Sequence, residues 1–198
     1  MPKIVDETAR QQAIGQAVWR IAETEGLHQA TVRRVAEEAG LSVGSLRRSF
    51  PTQASLYEYA MALIIERLEG RLGDGRGIAQ VAPLEQVVIL LKNFLPLGDE
   101  QAAEMRVWLS FSAEAQHSVA LRSLNDSMFD RTRGYMVSVL QYLVEQEVLA
   151  EDIDLNKEAG ALHAFLDGLT LHCLLRPEVV TEEKVDEALR SYFDRMIA

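Results

Sequence analysis

The chain has one cysteine, five prolines and no apolar run near the length of a membrane span among its 198 residues, and each scarcity excludes something. Cys173 alone cannot form an intrachain disulfide; set in an apolar helical pattern, it is expected to be a small buried hydrophobe. Without roughly 20 consecutive apolar residues no transmembrane helix is expected. The first residues lack the basic-then-apolar pattern of a signal peptide, so the expectation is a soluble, cytoplasmic protein with no membrane partner. Prolines fall where helices are expected to begin or end, and no stretch alternates in the manner of a half-buried strand. A hydrophobic share of 48% still supplies an ample core, which excludes a disordered or fibrous chain.

Positive charge is also scarce: 20 Lys and Arg against 30 Asp and Glu leave a formal net charge of −10. Taken whole, that balance opposes a nucleic-acid partner, but attraction to phosphate is local. Residues 1–50 carry 7 cationic side chains against 6 acids, whereas residues 51–198 carry 13 against 24. Within residues 31–50, Arg33, Arg34, Arg47 and Arg48 stand against only Glu37 and Glu38. The pattern is a small positive footprint on an acidic body, a polarity that would orient the molecule on DNA.

Helical periodicity dominates, and the chain reads as all-α with about nine helices. The first spans about Thr8 to Glu25, with Ile14, Val18, Ile21 and Ala22 on one face and Gly26 as its stop. The second runs from about Thr31 to Ala39, burying Val32, Val35, Ala36 and Ala39, and ends at Gly40. Ser42 reads as the N-cap of a short third helix to about Ser49, with Val43, Leu46 and then Phe50 turned inward. A fourth begins after Pro51 and runs to about Leu72 as a connector. Gly73 to Gly77 is the best candidate for a mobile loop. Further helices are expected at about 83–95, 101–117, 119–147, 155–175 and 182–196. The domains are then a DNA-binding helix-turn-helix at 1–52 and a larger helical domain at 53–198.

The segment Thr31 to Phe50 is an amphipathic helix, a glycine turn with one apolar residue, and a second helix of about two turns. A helix that short is marginal by itself, so its value lies in its exposed face. Small side chains at Gly44 and Ser45 permit close backbone approach to a major groove, and Arg47 and Arg48 have the fork that matches guanine. The frame around it, Gly26, Thr31-Val32-Arg33, Ala39-Gly40-Leu41-Ser42, Gly44-Ser45-Leu46-Arg47, Ser49-Phe50 and Pro51-Thr52-Gln53, resembles the TetR (tetracycline-repressor) family over residues 8 to 64. The resemblance implies a DNA-contacting set of Thr31, Arg33, Ser42, Val43, Gly44, Ser45, Arg47 and Arg48, with Thr31 on phosphate. This chain departs from the family pattern at Arg47, where tyrosine is usual, at Ser49, where an aromatic or histidine is frequent, and at Gln53, where a lysine commonly meets phosphate.

In the second domain, the long helix from Val119 carries apolar rows through Leu121, Leu124, Met128, Tyr135 and Tyr142 and through Phe129, Met136, Leu140 and Leu143. A helix apolar on two sides is central or lines a cavity. Trp108 and Phe111 would supply aromatic wall, and His163 with Asp167, at i and i+4, polar atoms. An ordinary core with a helical His/Asp pair is the alternative for each residue. The resemblance implies a small-molecule effector pocket here, with Trp108, Phe111, Met128, Phe129, His163 and Asp167 as its residues, and Met105-Arg106-Val107-Trp108 and Asp167-Gly168-Leu169 are similar to the betaine-repressor type. Gly160, Ala164 and Gly168 form a small-residue row, and Val185, Leu189, Tyr192, Phe193 and Met196 a stripe on the last helix. Together they are expected to form a homodimer seam, with packing inside the subunit as the alternative.

No catalytic, cofactor or metal site is expected. Asp152, Asp154 and Asn156 begin like a calcium loop, but Lys157 and His163 stand where glycine and the closing glutamate are required. The glycines of residues 70–77 lack the glycine-lysine-hydroxyl ending of a phosphate loop. His172 and Cys173 diverge by about 100° on a helix. The expected function is a transcriptional repressor that grips double-stranded operator DNA as a dimer and is released by a small molecule. A constitutive DNA-binding factor without an effector and an all-α ligand-binding protein are the alternatives.

Overall fold

Side-chain caps start the helices where hydroxyls and carboxylates stand in the sequence. The computed structural model describes residues 7–73 and 80–197; among these there are nine α-helices, one short 3-10 turn and no strand. They are α1 (Glu7–Thr24), the turn Leu27–Gln29, α2 (Val32–Glu38), α3 (Val43–Ser49), α4 (Gln53–Gly73), α5 (Pro83–Lys92), α6 (Asp99–Ala115), α7 (Val119–Glu145), α8 (Leu155–Leu175) and α9 (Glu182–Asp194). Thr31 accepts from the Arg34 amide, Ser42 from that of Ser45, Asp154 from that of Lys157 and Thr181 from that of Lys184. At α4, Thr52 and Ser55 cap each other reciprocally, each hydroxyl taking the other's amide. The all-α expectation and the helix order hold. The 3-10 turn was not expected, being too short to show a period. Apart from Gly73, the last residue of α4, the glycine segment expected to be a mobile loop lies outside the described residues.

The bend between α2 and α3 is fixed by the backbone. The Leu41 amide reaches the Ala36 carbonyl (2.8 Å) and the Gly40 amide that of Glu37 (3.1 Å), closing α2 with a Schellman motif. Gly40 sits at φ 65 in the left-handed region, where a Cβ is strained whatever the surrounding space.

Backbone contacts divide the chain into two units, with the boundary inside α4, α6 and α7: one holds the described residues to Arg67 with Arg106–Asn125, the other Leu68–Met105 and the residues from Asp126 on. In the first, Ile14, Ala17, Val18 and Ile21 of α1, Val35 of α2, Leu46 of α3 and Leu56, Ala60 and Met61 of α4 are almost wholly buried. Gly15 is the point of closest approach of α1 to α4. A Cβ there would lie 2.2 Å from the Leu63 side chain. Two buried hydrogen bonds tie α4 back to its unit: Trp19 Nε1 to the Ala60 carbonyl (3.0 Å) and the Tyr57 hydroxyl to the Leu27 carbonyl (2.6 Å).

The second unit has its own core, drawn from α5 (Val87, Val88, Leu91), α7 (Met136, Leu140, Leu143), α8 (Leu162, Leu166, Cys173) and α9 (Val185, Leu189, Phe193). Cys173 is buried as expected, and burial pushes its thiol pKa up. Arg190 of α9 takes the Glu85 carboxylate with two nitrogens (2.5 and 2.7 Å) and Asp186 with its Nε (2.7 Å), pinning α9 to α5. At the end of α4, Arg71 meets Glu104 of α6, whose side chain is fully buried, at 2.8 Å. Among the described residues no helix is long and apolar enough to cross a membrane.

Gly40→Ala is expected to destabilise the chain by about 1 to 2 kcal/mol, the strain of a Cβ in the left-handed region, with Gly40→Asn costing less. Denaturant unfolding of the two variants checks this; an alanine variant as stable as the parent would contradict it.

Candidate nucleic-acid interface

The short helix α3 is held from inside and open outside. Leu46 is fully buried and Phe50 nearly so, with the Phe50 ring 5.2 Å from that of Tyr59 on α4. Val43, expected beside them on the inner seam, is instead 36% exposed. As the first residue of α3 it lies one turn before Leu46, where the packed seam has ended. Ser42, Gly44, Arg47 and Arg48 are exposed, as are Thr31 and Arg33 around the start of α2. A Cβ built on Gly44 would meet nothing within 4 Å, so the backbone there is open to close approach.

The charge is distributed less evenly than the arginine count implied. Arg34 is spent internally, bonded to Glu25 (2.6 Å) and Glu38 (3.2 Å), and Glu38 also takes Arg20 (2.9 Å). These pairs raise the Arg34 pKa, Glu25 contributing most, and lower that of Glu38, Arg20 contributing most. Arg33, Arg47 and Arg48 make no ion pair with another described residue; theirs is the charge an anion can meet. Thr31 and Ser42 each have one lone pair engaged by the amide they cap, which leaves the hydroxyl proton for a phosphate oxygen.

Sequence reasoning missed Arg10 on α1. Its guanidinium donates to both the carbonyl oxygen (2.7 Å) and the hydroxyl (2.9 Å) of Ser45, across 35 positions of sequence. Helical periodicity gave no signal for it, since it records which face is apolar and not which distant oxygen a cation finds.

The residues expected to bind an effector fall in both units. Trp108 and Phe111 belong to the first, where Phe111 is fully buried and serves as core. Met128, Phe129, His163 and Asp167 belong to the second. There the half-exposed Phe129 ring lies 4.7 Å from the His163 ring, and Asp167 Oδ2 is 3.8 Å from His163 Nε2. His163 is buried at 3% exposure, and its Nδ1 has no hydrogen-bond partner among the described residues. Among the described residues no group of three or more His, Cys, Asp and Glu side chains is placed to hold a metal ion.

The expected dimer stripe needs correcting. Val185, Leu189 and Phe193 are buried in their own subunit, while Tyr192 and Met196 of the same stripe are half-buried. Gly160 lies under Arg133, whose guanidinium would be 2.5 Å from a Cβ there, so its small size serves that arginine and not a second helix. Among the apolar residues left uncovered is a row on α8: Ala161, Ala164, Gly168, Leu171 and Leu175 are all exposed, the last at 64%.

Known proteins match along the whole chain. The family described as bacterial regulatory proteins, tetR family, matches residues 16–60, and the BetI-type transcriptional repressor C-terminal domain matches residues 83–198. The chain is 34% identical over 194 residues to the HTH-type transcriptional regulator PksA of Bacillus subtilis (strain 168), covering 98% of this chain and 93% of that protein.

The chain belongs to the TetR family. Two solved structures share its fold: a transcriptional regulator from Pseudomonas aeruginosa PAO1 (TM-score 0.84, 23% identity, 97% of this chain and 92% of that one) and one from Saccharomonospora viridis in complex with choline (TM-score 0.78, 22% identity, 96% and 98%). Membership makes the chain a DNA-binding transcriptional regulator of the repressor type and not an enzyme.

In this TetR-family chain, the His163 imidazole is held below its ordinary pKa by burial; Asp167 partly offsets the effect and Arg133 adds to it. The unfolded chain takes a proton on that ring at about pH 6.5 and the folded chain only below it. Stability is therefore expected to fall as the pH drops below about 6.5, until the folded ring titrates as well. Asp167 works the opposite way, its carboxyl pKa raised by burial and partly drawn back by His163. His163→Gln should flatten the profile between about pH 7.5 and 5 in denaturant unfolding; an unchanged slope would show that His163 does not cause it.

Proposed function

We propose that this regulator represses transcription as a homodimer whose two α3 helices read a palindromic operator, and that a small molecule bound in its C-terminal domain releases it. The exposed outer face of α3 carries the reading. Arg47 and Arg48 stand there without an ion-pair partner among the described residues, beside the open backbone of Gly44, while Leu46 and Phe50 anchor the opposite side. A forked guanidinium on such a face suits the N7 and O6 of guanine. Thr31, Ser42 and Arg33 would meet phosphate or neighbouring base edges, with Val43 at the rim against a thymine methyl and Ser45 alongside. Residues 1–52 act in this reading as the DNA-binding segment and residues 53–198 as the effector and dimer domain. Such contacts release counterions, so affinity falls steeply with salt.

Arg47→Ala is expected to cost about 1 to 3 kcal/mol of operator binding and to relax preference at one base position of each half-site. Titration of the variant against wild-type operator and its single-base variants tests the reading, which fails if affinity and preference are both unchanged.

The homodimer reading rests on α8. Ala161, Ala164, Gly168, Leu171 and Leu175 recur at intervals of three and four, the spacing of a helix-packing seam, and small residues in the row permit close approach. A second copy related by a two-fold axis would cover them and set two reading heads about 34 to 36 Å apart or wider. Leu171, 42% exposed in the single chain, can take a charge without burying it. Leu171→Glu should therefore give a folded monomer that binds operator far more weakly; sedimentation of the variant as a dimer would contradict this.

For the effector, the reading centres on His163, Asp167 and Phe129 with Met128 beside them, a buried polar ring next to an aromatic face. That a protein of this fold holds choline supports a small-molecule site in the helical domain. A ligand releases DNA only if it binds the two domain arrangements with different affinity.

A further inference from the structure

Helix α3 has seven residues, too few for a stable helix in water. The Ser42 cap holds its first turn, and Leu46 and Phe50 hold its inner face. Neither fixes its rotation about its own axis to the tolerance a base contact needs, since apolar packing is not directional. A directional tie is present at Ser45, the third residue of the helix. Its amide goes to the Ser42 hydroxyl (3.1 Å), while its carbonyl and hydroxyl oxygens both accept from one guanidinium nitrogen of Arg10 (2.7 and 2.9 Å). Ser45 is thereby held at its amide, carbonyl and side chain, and Arg10 brings the hold from a separate, 18-residue helix.

We propose that Arg10 is a positioning residue for operator recognition, acting through Ser45; this rests on the reading of α3 as the DNA reader. Charge-assisted hydrogen bonds are stronger than neutral ones, and a two-point tie from the rigid α1 sets the angle at which Gly44, Arg47 and Arg48 meet the groove. The same contact assigns Ser45 a chemistry. With a cation on one lone pair, the hydroxyl is polarised towards donating its proton, so it would favour an acceptor on the DNA: a phosphate oxygen, a purine N7 or a thymine O4. Arg10 would also add one positive charge to the DNA-facing unit.

The test uses the full-length chain and two duplexes, one enriched by the wild type from a random-sequence pool and one of the same composition scrambled. Arg10→Ala is expected to weaken binding to the enriched duplex about tenfold to a hundredfold, the value of a lost charged hydrogen bond. The scrambled duplex should lose only what one missing cation accounts for, a salt slope shallower by about one. Pools re-enriched with Arg10→Ala and with Ser45→Ala should relax at the same base positions. Because both bonds come from one nitrogen, Arg10→Lys keeps the charge and a donor for Ser45; it should restore the salt slope and most of the preference for the enriched duplex.

Equal losses on both duplexes in Arg10→Ala would reduce Arg10 to a phosphate contact and overturn the proposal. If Arg10→Ala does not fold, the neutral, shorter Arg10→Gln and Ser45→Ala decide alone, and wild-type preference in both overturns it. A pool from which the wild type enriches nothing would overturn the DNA reading and this proposal with it.

Discussion

A reading helix of seven residues cannot carry its own stability, and the first unit is organised around that constraint. What α3 lacks in internal hydrogen bonds it draws from neighbours: a Schellman turn that aims it, a serine that caps it, two apolar anchors and the Arg10 clamp. The same economy leaves its outer face bare. Each polar group used inside is one fewer outside, which is why Arg34 falls to the glutamates while Arg33, Arg47 and Arg48 remain exposed. An acidic chain can thus present a positive surface, because phosphate attraction falls off within a Debye length.

The support continues into α4. Tyr57 and Trp19 join α4 to the turn before α2 and to α1 by buried hydrogen bonds, and Gly15 lets α1 and α4 approach closely. Buried bonds of this kind are directional and costly to leave unmade, so a change in α4 would be felt at α1 and through it at Ser45. The second unit follows the same physics to another end. Its last helix turns Val185, Leu189 and Phe193 inward and is pinned by Arg190, and an exposed apolar row runs along α8. His163, buried with its Nδ1 unpartnered among the described residues, joins Glu104 and Thr170 as a buried polar side chain of that unit.

Much of this was legible in residue order. Nine helices, their order and most of their ends followed from apolar spacing and from Ser42, Thr31, Gly26 and Gly40, because helices are local and their stop signals are steric. The reading face of α3 was legible for the same reason: a short amphipathic helix after a glycine turn has one apolar side, and the other is exposed. The extent of the first unit was less so. Residues up to Arg67, with Arg106–Asn125, are grouped with the helix-turn-helix by contacts between segments far apart in sequence.

The stripe on α9 shows where sequence stops. Val185, Leu189 and Phe193 are periodic, and periodicity states that a face is buried but not by what; only packing decided that the partner is the chain's own core. Gly160 alone drops out of the small-residue row, since a small residue can admit a helix or an arginine, and here it admits Arg133, while Ala164 and Gly168 stay exposed. Arg10 and Ser45, 35 positions apart, carry no mutual pattern in the sequence. By itself the sequence determined the helices, their caps and turns and the polarity of the DNA-reading segment, all of which depend on neighbours within about one helical turn. Tertiary structure alone decided which cations are spent on internal carboxylates, which apolar faces are left open and which distant side chain clamps the reading helix, because those depend on groups the chain brings together only by folding.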